Sequence, residues 1–300
     1  LAPFNPNAAQ PPTSLQTLEP NYDNPLSYQY SAGIQYSITP DTVLAVGYAG
    51  SQQIHQGLNV DINQVPYADL LGVYQYLNSG GSEGTNPDTV RPYLGYSDIF
   101  MNAREAVTRY NSLQTSLERR LTRGFKVQIS YTFSHLISNG ANRDTEGRSA
   151  PAQDANNIAA EKAFGTQDQP QTLSVNAVWE LPFFSRSGNR FLKNGLGGWE
   201  LNGIYSARSG LPQTVCLDHD VVGLAAGGGI CERVDVLTNP NLSGGKRTVT
   251  NFFDVNAFQL QAPGTFGNSG RNNVRGPGSN NFDLSLFKSF TLPHMKGLGG

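Results

Sequence analysis

The sequence predicts an all-β protein: an antiparallel transmembrane β-barrel segment with long extracellular loops and short periplasmic turns. Three observations lead there. Apolar side chains recur with period two, the alternating runs are about 11 to 13 residues long where soluble strands are typically ~5 to 6, and short and long connections alternate along the chain. Composition agrees. Charged residues make up 15% of the 300 against the usual ~25%, and 33 Gly, 13 Tyr and 15 Phe accompany a hydrophobic fraction of only 38%. A formal net charge of −2 excludes a basic nucleic-acid footprint as a whole-chain property, so no nucleic-acid partner is expected.

Residues 27–38 carry Tyr28, Tyr30, Ala32, Ile34, Tyr36 and Ile38 at every even position and polar residues or Gly at every odd one. Such alternation marks a strand with two unlike faces. After Thr39-Pro40-Asp41 the apolar face resumes at Leu44, Val46 and Tyr48. Leu113, Leu117 and Leu121 form a third run and, past Thr122-Arg123-Gly124, Phe125, Val127, Ile129, Tyr131 and Phe133 a fourth. Leu173, Val175, Ala177, Trp179 and Leu181 follow, then Trp199, Leu201, Gly203, Tyr205 and Ala207. The seventh run is Phe282, Leu284 and Leu286, then Phe290 and Leu292, interrupted by Lys288.

A hairpin keeps its apolar face only if opposed residues share that face. Closing Thr39–Asp41 as a three-residue loop sets Ile38 opposite Thr42, Tyr36 opposite Leu44 and Ile34 opposite Val46. Closing Thr122–Gly124 likewise sets Leu121 opposite Phe125 and Leu117 opposite Ile129. Pro40 suits a turn, and Gly124 supplies the positive φ that a short hairpin loop needs. At about 3.3 Å per residue and a tilt near 45°, strands of this length stand roughly 25 to 30 Å high, which matches the hydrocarbon core of a bilayer.

The short connections are 39–41, 122–124 and 182–196, and the long ones 52–109, 138–170 and 212–280. Short turns on one rim and long loops on the other are the pattern of an outer-membrane barrel. The face opposite the apolar one carries Gln114, Ser116, Glu118 and Arg120, then Lys126, Gln128, Ser130 and Thr132, as a polar lumen would. Arg120 opposite Lys126 needs Glu118 to offset the repulsion. On the lipid face, Arg119 is near a turn and can snorkel, whereas Lys288 calls for a bulge that turns it inward. Tyr28, Tyr30, Tyr48, Trp179, Phe183, Phe184 and Trp199 fall toward strand ends; they read as an aromatic girdle at the two interfaces, or as ordinary strand aromatics. No apolar run approaches the ~18 residues of a spanning helix. Leu1 opens no basic-then-apolar leader, so the chain is expected to be a mature protein or a fragment.

Several segments carry a family resemblance. Tyr110-Asn111-Ser112-Leu113-Gln114 through Glu118-Arg119-Arg120, with Gly124-Phe125 and Ser130-Tyr131-Thr132-Phe133-Ser134-His135, is similar to the Oar-like TonB-dependent receptors of the bacterial outer membrane. So are Gly198-Trp199-Glu200-Leu201-Asn202-Gly203-Ile204 with Arg208-Ser209-Gly210-Leu211-Pro212, and Gly264–Asn272 with Arg275-Gly276-Pro277-Gly278 and Asp283–Lys288. The order of these segments, more than any one of them, makes the resemblance specific. It implies a 22-stranded barrel preceded by a plug and a regulatory-like domain often associated with carbohydrate binding. Neither lies in this chain, so residues 1–300 are expected to be a part of the barrel domain truncated at both ends. The resemblance also implies a TonB-type energy-coupling protein acting through the missing N-terminal region, an unidentified extracellular ligand, outer-membrane lipid and lipopolysaccharide as surroundings, and the cell outer membrane of a Gram-negative type bacterium as location.

Cys216 and Cys231 are the only cysteines. An oxidising cell surface favours a disulfide closing about 16 residues, worth up to roughly 3 kcal/mol in the chain-entropy model; the alternative is two reduced thiols. Their spacing, with Asp218, His219 and Asp220, fits no standard zinc pattern, and no metal or other cofactor is expected. His55, His135 and His294 read as loop or rim residues, and Asp144 with Glu146 as a solvated loop. Gly227-Gly228-Gly229 lacks the Lys-Ser/Thr of a phosphate loop. Arg271 and Arg275 either meet an anionic ligand or lipopolysaccharide, or cap turns. No catalytic residue emerges, and the chain is not expected to be an enzyme. Three functions compete: an import barrel, a non-transport surface protein serving adhesion or secretion, and a soluble β-rich carbohydrate-binding module.

Overall fold

The computed structural model describes residues 12–140, 151–183, 195–226 and 229–289. In chain order the elements are β1 (Thr13–Leu18), β2 (Leu26–Thr39), β3 (Thr42–Asp61), α1 (Leu70–Asn78), β4 (Tyr96–Thr122), β5 (Phe125–Ser138), β6 (Ala163–Phe164), β7 (Gln171–Glu180) and β8 (Trp199–Arg208). Four two-residue strands follow, β9 (Pro212–Gln213), β10 (Asp235–Val236), β11 (Phe258–Gln259) and β12 (Val274–Arg275), and then β13 (Ser279–Lys288). The main sheet runs β2-β3-β4-β5-β7-β8-β13, every neighbouring pair antiparallel. These seven wall strands are the seven alternating runs of the sequence. Among the described residues the sheet stays open, with β2 and β13 at its edges.

Register puts one row after another of like residues across the wall. Tyr36, Leu44, Leu117, Ile129, Val175, Tyr205 and Phe282 are successive partners on the outer face. One residue along, Gln35, Ala45, Ser116, Ser130, Ser174, Ser206 and Asn281 are partners on the inner face. A one-residue slip anywhere would exchange these faces. Both hairpins hold the predicted pairs Tyr36–Leu44, Ile34–Val46 and Leu117–Ile129.

The pairs next to the turns differ from expectation. Register shifts between Ser37 and Thr39 and pairs Thr39 with Thr42, so Ile38 does not face Thr42. A second shift between Arg119 and Thr122 pairs Thr122 with Phe125. Neither Leu121–Phe125 nor Arg120–Lys126 is a registered pair. Here Arg123 and Gly124, with φ of 53° and 77°, close a two-residue turn whose twist matches the strands. Lys288 needs no bulge. β13 stays regular to its end, where Lys288 pairs with Trp199; its ammonium lies 4.7 Å from the indole centroid and donates to the carbonyls of Gly195 and Gly197. Phe290, Leu292 and His294 lie outside the described residues, as do Asp144, Glu146, Phe184, Gly227 and Gly228.

Two strands outrun the membrane. β4 has 27 residues and β3 has 20, whereas a spanning strand needs ~9 to 11. The first long connection is therefore 62–95, shorter than the expected 52–109, because the paired strands continue past the wall. His55, with φ 56°, sits at a register break inside β3 instead of in a loop. Beyond the wall, β1 adds in parallel to β4 and β6 adds to β5. Buried apolar clusters occur on this side alone among the described residues: Val65, Leu70, Val73, Val222 and Leu224 form one, and Leu58, Val60, Ala103 and Ala106 the other.

Candidate functional site: the extracellular loop cap

Three long connections, residues 62–95, 139–170 and 209–278, meet above the wall, and buried polar side chains join them. Asn63, fully buried, follows β3 and reads the backbone of the turn leading into β4. Its Nδ2 donates to the carbonyls of Tyr93, Tyr96 and Ser97 at 3.1, 3.1 and 2.7 Å, and its Oδ1 accepts from Tyr93 N at 2.6 Å. Arg91 extends the hub to the third connection. It donates to Asn63 O at 2.7 Å and to Leu224 O and Ala225 O at 3.0 and 2.9 Å, with Asp98 at 3.4 Å and Asp61 at 3.8 Å. Five-donor guanidinium groups suit such multi-carbonyl sites. Helix α1 presents Leu70 and Val73 to Val222 and Leu224 across the same seam. Gly223 makes that approach feasible: its φ is 89°, and a Cβ there would lie 2.1 Å from Leu70 O.

The second connection is tied to the third by two acid–arginine centres. Glu161 bonds Arg233 at 2.9 Å and Arg271 at 3.0 Å; Arg233 also donates to Ser269 O, and Arg271 to Ser138 O and Glu161 O. Burial pulls Arg271 below the usual guanidinium range, with Arg233 adding to the effect and Glu161 opposing it. Asp168 bonds Arg275 and accepts from Leu136 N at 2.6 Å. Arg275 stacks over Phe164 at 4.8 Å. Of the two readings of Arg271 and Arg275, the structure shows loop bracing: besides their acids they bond loop carbonyls, Arg271 that of Glu161 at the end of the 158–161 turn and Arg275 that of Asp168. Tyr67 donates to Asp154 at 2.6 Å, and lost hydration together with that carboxylate pushes its hydroxyl up to about 12.

Cys216 and Cys231 are bonded to each other, Cα–Cα 5.2 Å, at the neck of the segment that carries Val222 and Leu224. Just past the neck, Glu232 accepts from Val221 N and Val222 N at 3.0 and 3.2 Å, and inside the segment Asp220 accepts from Gly223, Leu224 and Ala225 N at 2.5, 3.2 and 2.7 Å. Burial, then the Asp220 charge, pushes Glu232 up to about 7. Asp218 and His219 form an exposed pair at 2.7 Å that lowers the Asp218 carboxyl.

Below the cap, the inner wall is polar and small. Gly33 pairs with Gly47, and around them Gln35, Gln114, Ser116 and Ser130 line a hollow of about 460 Å³. Of the aromatic residues expected at the interfaces, those described lie toward one or the other end of the strands, while Tyr36, Tyr131, Tyr205 and Phe282 stand between them on the outer face. Tyr28, Tyr30 and Tyr48 lie toward the cap, with the Tyr30 and Tyr48 rings 6.0 Å apart; Trp179, Phe183 and Trp199 lie toward the short turns. His135, on β5 near the cap, packs between Phe133 and Phe164.

The outer membrane beta barrel domain family model matches residues 2–297. The chain belongs to that family. Its place is the cell outer membrane, and the wall's apolar outer face is the lipid-facing side of an outer-membrane β-barrel. No curated protein matches the sequence. The fold is similar to the outer membrane transporter YddB of Escherichia coli, with 11% identity and a TM-score of 0.42 over 92% of this chain and 28% of that one. This barrel segment thus spans about 28% of that transporter's length, and the family match carries the assignment.

Sequence reasoning missed Asn63, Arg91, Asp98, Glu161, Asp168 and Arg233. Their partners lie as far as 134 residues away, and no periodicity connects them. The one available signal was scarcity, since a low-charge chain has few reasons to keep acids and arginines inside Gly/Asn-rich loops.

Proposed function

We propose that this barrel segment is part of a TonB-dependent importer, in which the cap receives an extracellular ligand and the polar inner wall lines its route. The observation that supports this most is the cap itself: three loops cross-braced through Arg91, Arg233, Arg271 and Arg275 give a preorganised outer surface directly above a polar lumen. A preorganised surface loses less entropy on binding than free loops do. Energy would come from a TonB-type partner acting on a plug encoded outside these residues. No catalytic residue is assigned. The test is to translate the gene in frame on both sides of this segment and to assay the full-length product for capture by the periplasmic domain of a TonB-type protein. A plug with a coupling segment upstream, and capture that its deletion abolishes, is the expected result. A full-length protein without a plug would leave a surface protein for adhesion or secretion.

A further inference from the structure

The outer face of β4 carries two arginines, Arg109 and Arg119, ten positions apart. At ~3.3 Å per residue and a tilt near 45° they stand about 23 Å apart along the membrane normal, close to the height of the apolar band on such barrels. The rows between them hold Leu113, Leu117, Ile34, Val46, Ile129 and Tyr131. Arg119 marks the short-turn rim, 5.8 Å from the Phe125 ring. Arg109 marks the loop rim. It is exposed, and among the described residues it forms no ion pair.

Arg109 shares a row with Tyr28, Gln52, Ile137 and Phe164. The row below holds Tyr30, Gly50, Asn111 and His135. There the hydroxyls of Tyr30 and Tyr48 both donate to Asn111 Oδ1, at 3.3 and 2.6 Å. Gly50 leaves room for the Tyr30 ring, which a Cβ would meet at 2.3 Å. Tyrosines so arranged mark the membrane interface. Arg109 stands ~7 Å further along the strand, at headgroup level. His135, 43% exposed, lies one row below it beside Asn111, and Lys162, exposed, immediately precedes β6. Of the nearby acids, Asp168 is buried, bonded to Arg275 and 4.0 Å from His135 Nδ1, and Glu105 lies four positions further from the bilayer on β4. At the opposite rim, by contrast, Lys288 is engaged by backbone carbonyls.

We propose that Arg109, one row above the tyrosines and His135, is a contact site for the phosphate of an outer-leaflet glycolipid whose acyl chains lie along the apolar face below. The guanidinium fork matches phosphate oxygens bidentately, and below the Asn111 row the outer face carries Leu113, Val46, Ile34, Leu117 and Ile129. The inference needs only the membrane position of the wall, so it stands or fails independently of import.

The test quantifies lipid A retained by the full-length protein purified from outer membranes in mild detergent, by mass spectrometry. Arg109→Ala should lower retention about tenfold, the loss of one charge-assisted contact. Arg109→Lys should keep most of it, and Arg119→Ala should leave it unchanged. A second arm, on the wild-type protein in nanodiscs, compares intact with dephosphorylated lipid A, phosphatidylglycerol and inorganic phosphate as competitor. Preference for intact lipid A that phosphate does not displace supports the site. Equal losses in Arg109→Ala and Arg119→Ala, equal retention of dephosphorylated lipid A, equal retention of phosphatidylglycerol, or displacement by inorganic phosphate would each overturn it.

Discussion

Glu232 and Asp220 divide five consecutive backbone N–H groups between two carboxylates. Because Glu232 is held up to about 7 against an ordinary carboxyl value near ~4.3, the folded loop binds more protons than the unfolded one between those values. Its stability is therefore fully present below the lower value and falls as pH rises through the upper one. Hydrogen exchange at Val221–Ala225, corrected for intrinsic rates, should report a looser segment at pH 8 than at pH 5, and Glu232→Gln should flatten that dependence. At Arg233, removal by Arg233→Ala leaves Glu161 with one buried partner fewer, an expected loss of about 3 to 5 kcal/mol read from chemical unfolding. Neither centre was legible in the sequence. Glu161 and Arg233 are 72 residues apart, and only the folded loops bring them together.

Strands were legible wherever one face met lipid and the other water, because that contrast writes period two into the residues. Tyr28 to Ile38 and Phe125 to Phe133 are the clearest cases. The contrast ends above the membrane, and so did the reading: Gln52, Gln53, Gln56 and Asn59 of β3 show no alternation, although they are paired. Helix α1 escaped notice because nine residues containing Gly72 and two tyrosines carry little helical signal, and its formation depends on Val222 and Leu224 packing against it. Near the turns, register shifts moved Ile38 and Leu121 off their expected partners, since a loop one residue shorter fits the same sequence. The two faces give a direct test at element scale. Ile129→Arg on the outer face should cost about 2 to 4 kcal/mol near the bilayer midplane, and Ser130→Arg on the inner face far less, measured as unfolding free energies in lipid vesicles.

At the scale of the molecule, a thin polar-lined wall supports a cap that holds the buried apolar clusters of the described residues. The disulfide closes the segment that joins the third connection to α1. Replacing both cysteines, Cys216→Ser with Cys231→Ser, should destabilise the cap by up to about 3 kcal/mol while leaving strand content, read by circular dichroism, unchanged. The alternation of short turns and long loops made this two-part design readable in outline, and the cap's wiring could be seen only in three dimensions. The central claim is that the odd-numbered face of β5 meets lipid and the even-numbered face meets water. Spin labels placed singly along β5 from Phe125 to Ile137, in the full-length protein reconstituted in lipid bilayers, test it through collisional access to oxygen and to a water-soluble nickel complex. The account predicts oxygen-dominated access at Val127, Ile129, Tyr131 and Phe133 and nickel-dominated access at Gln128, Ser130 and Thr132. Equal access to the nickel complex at both sets would contradict a membrane-spanning wall.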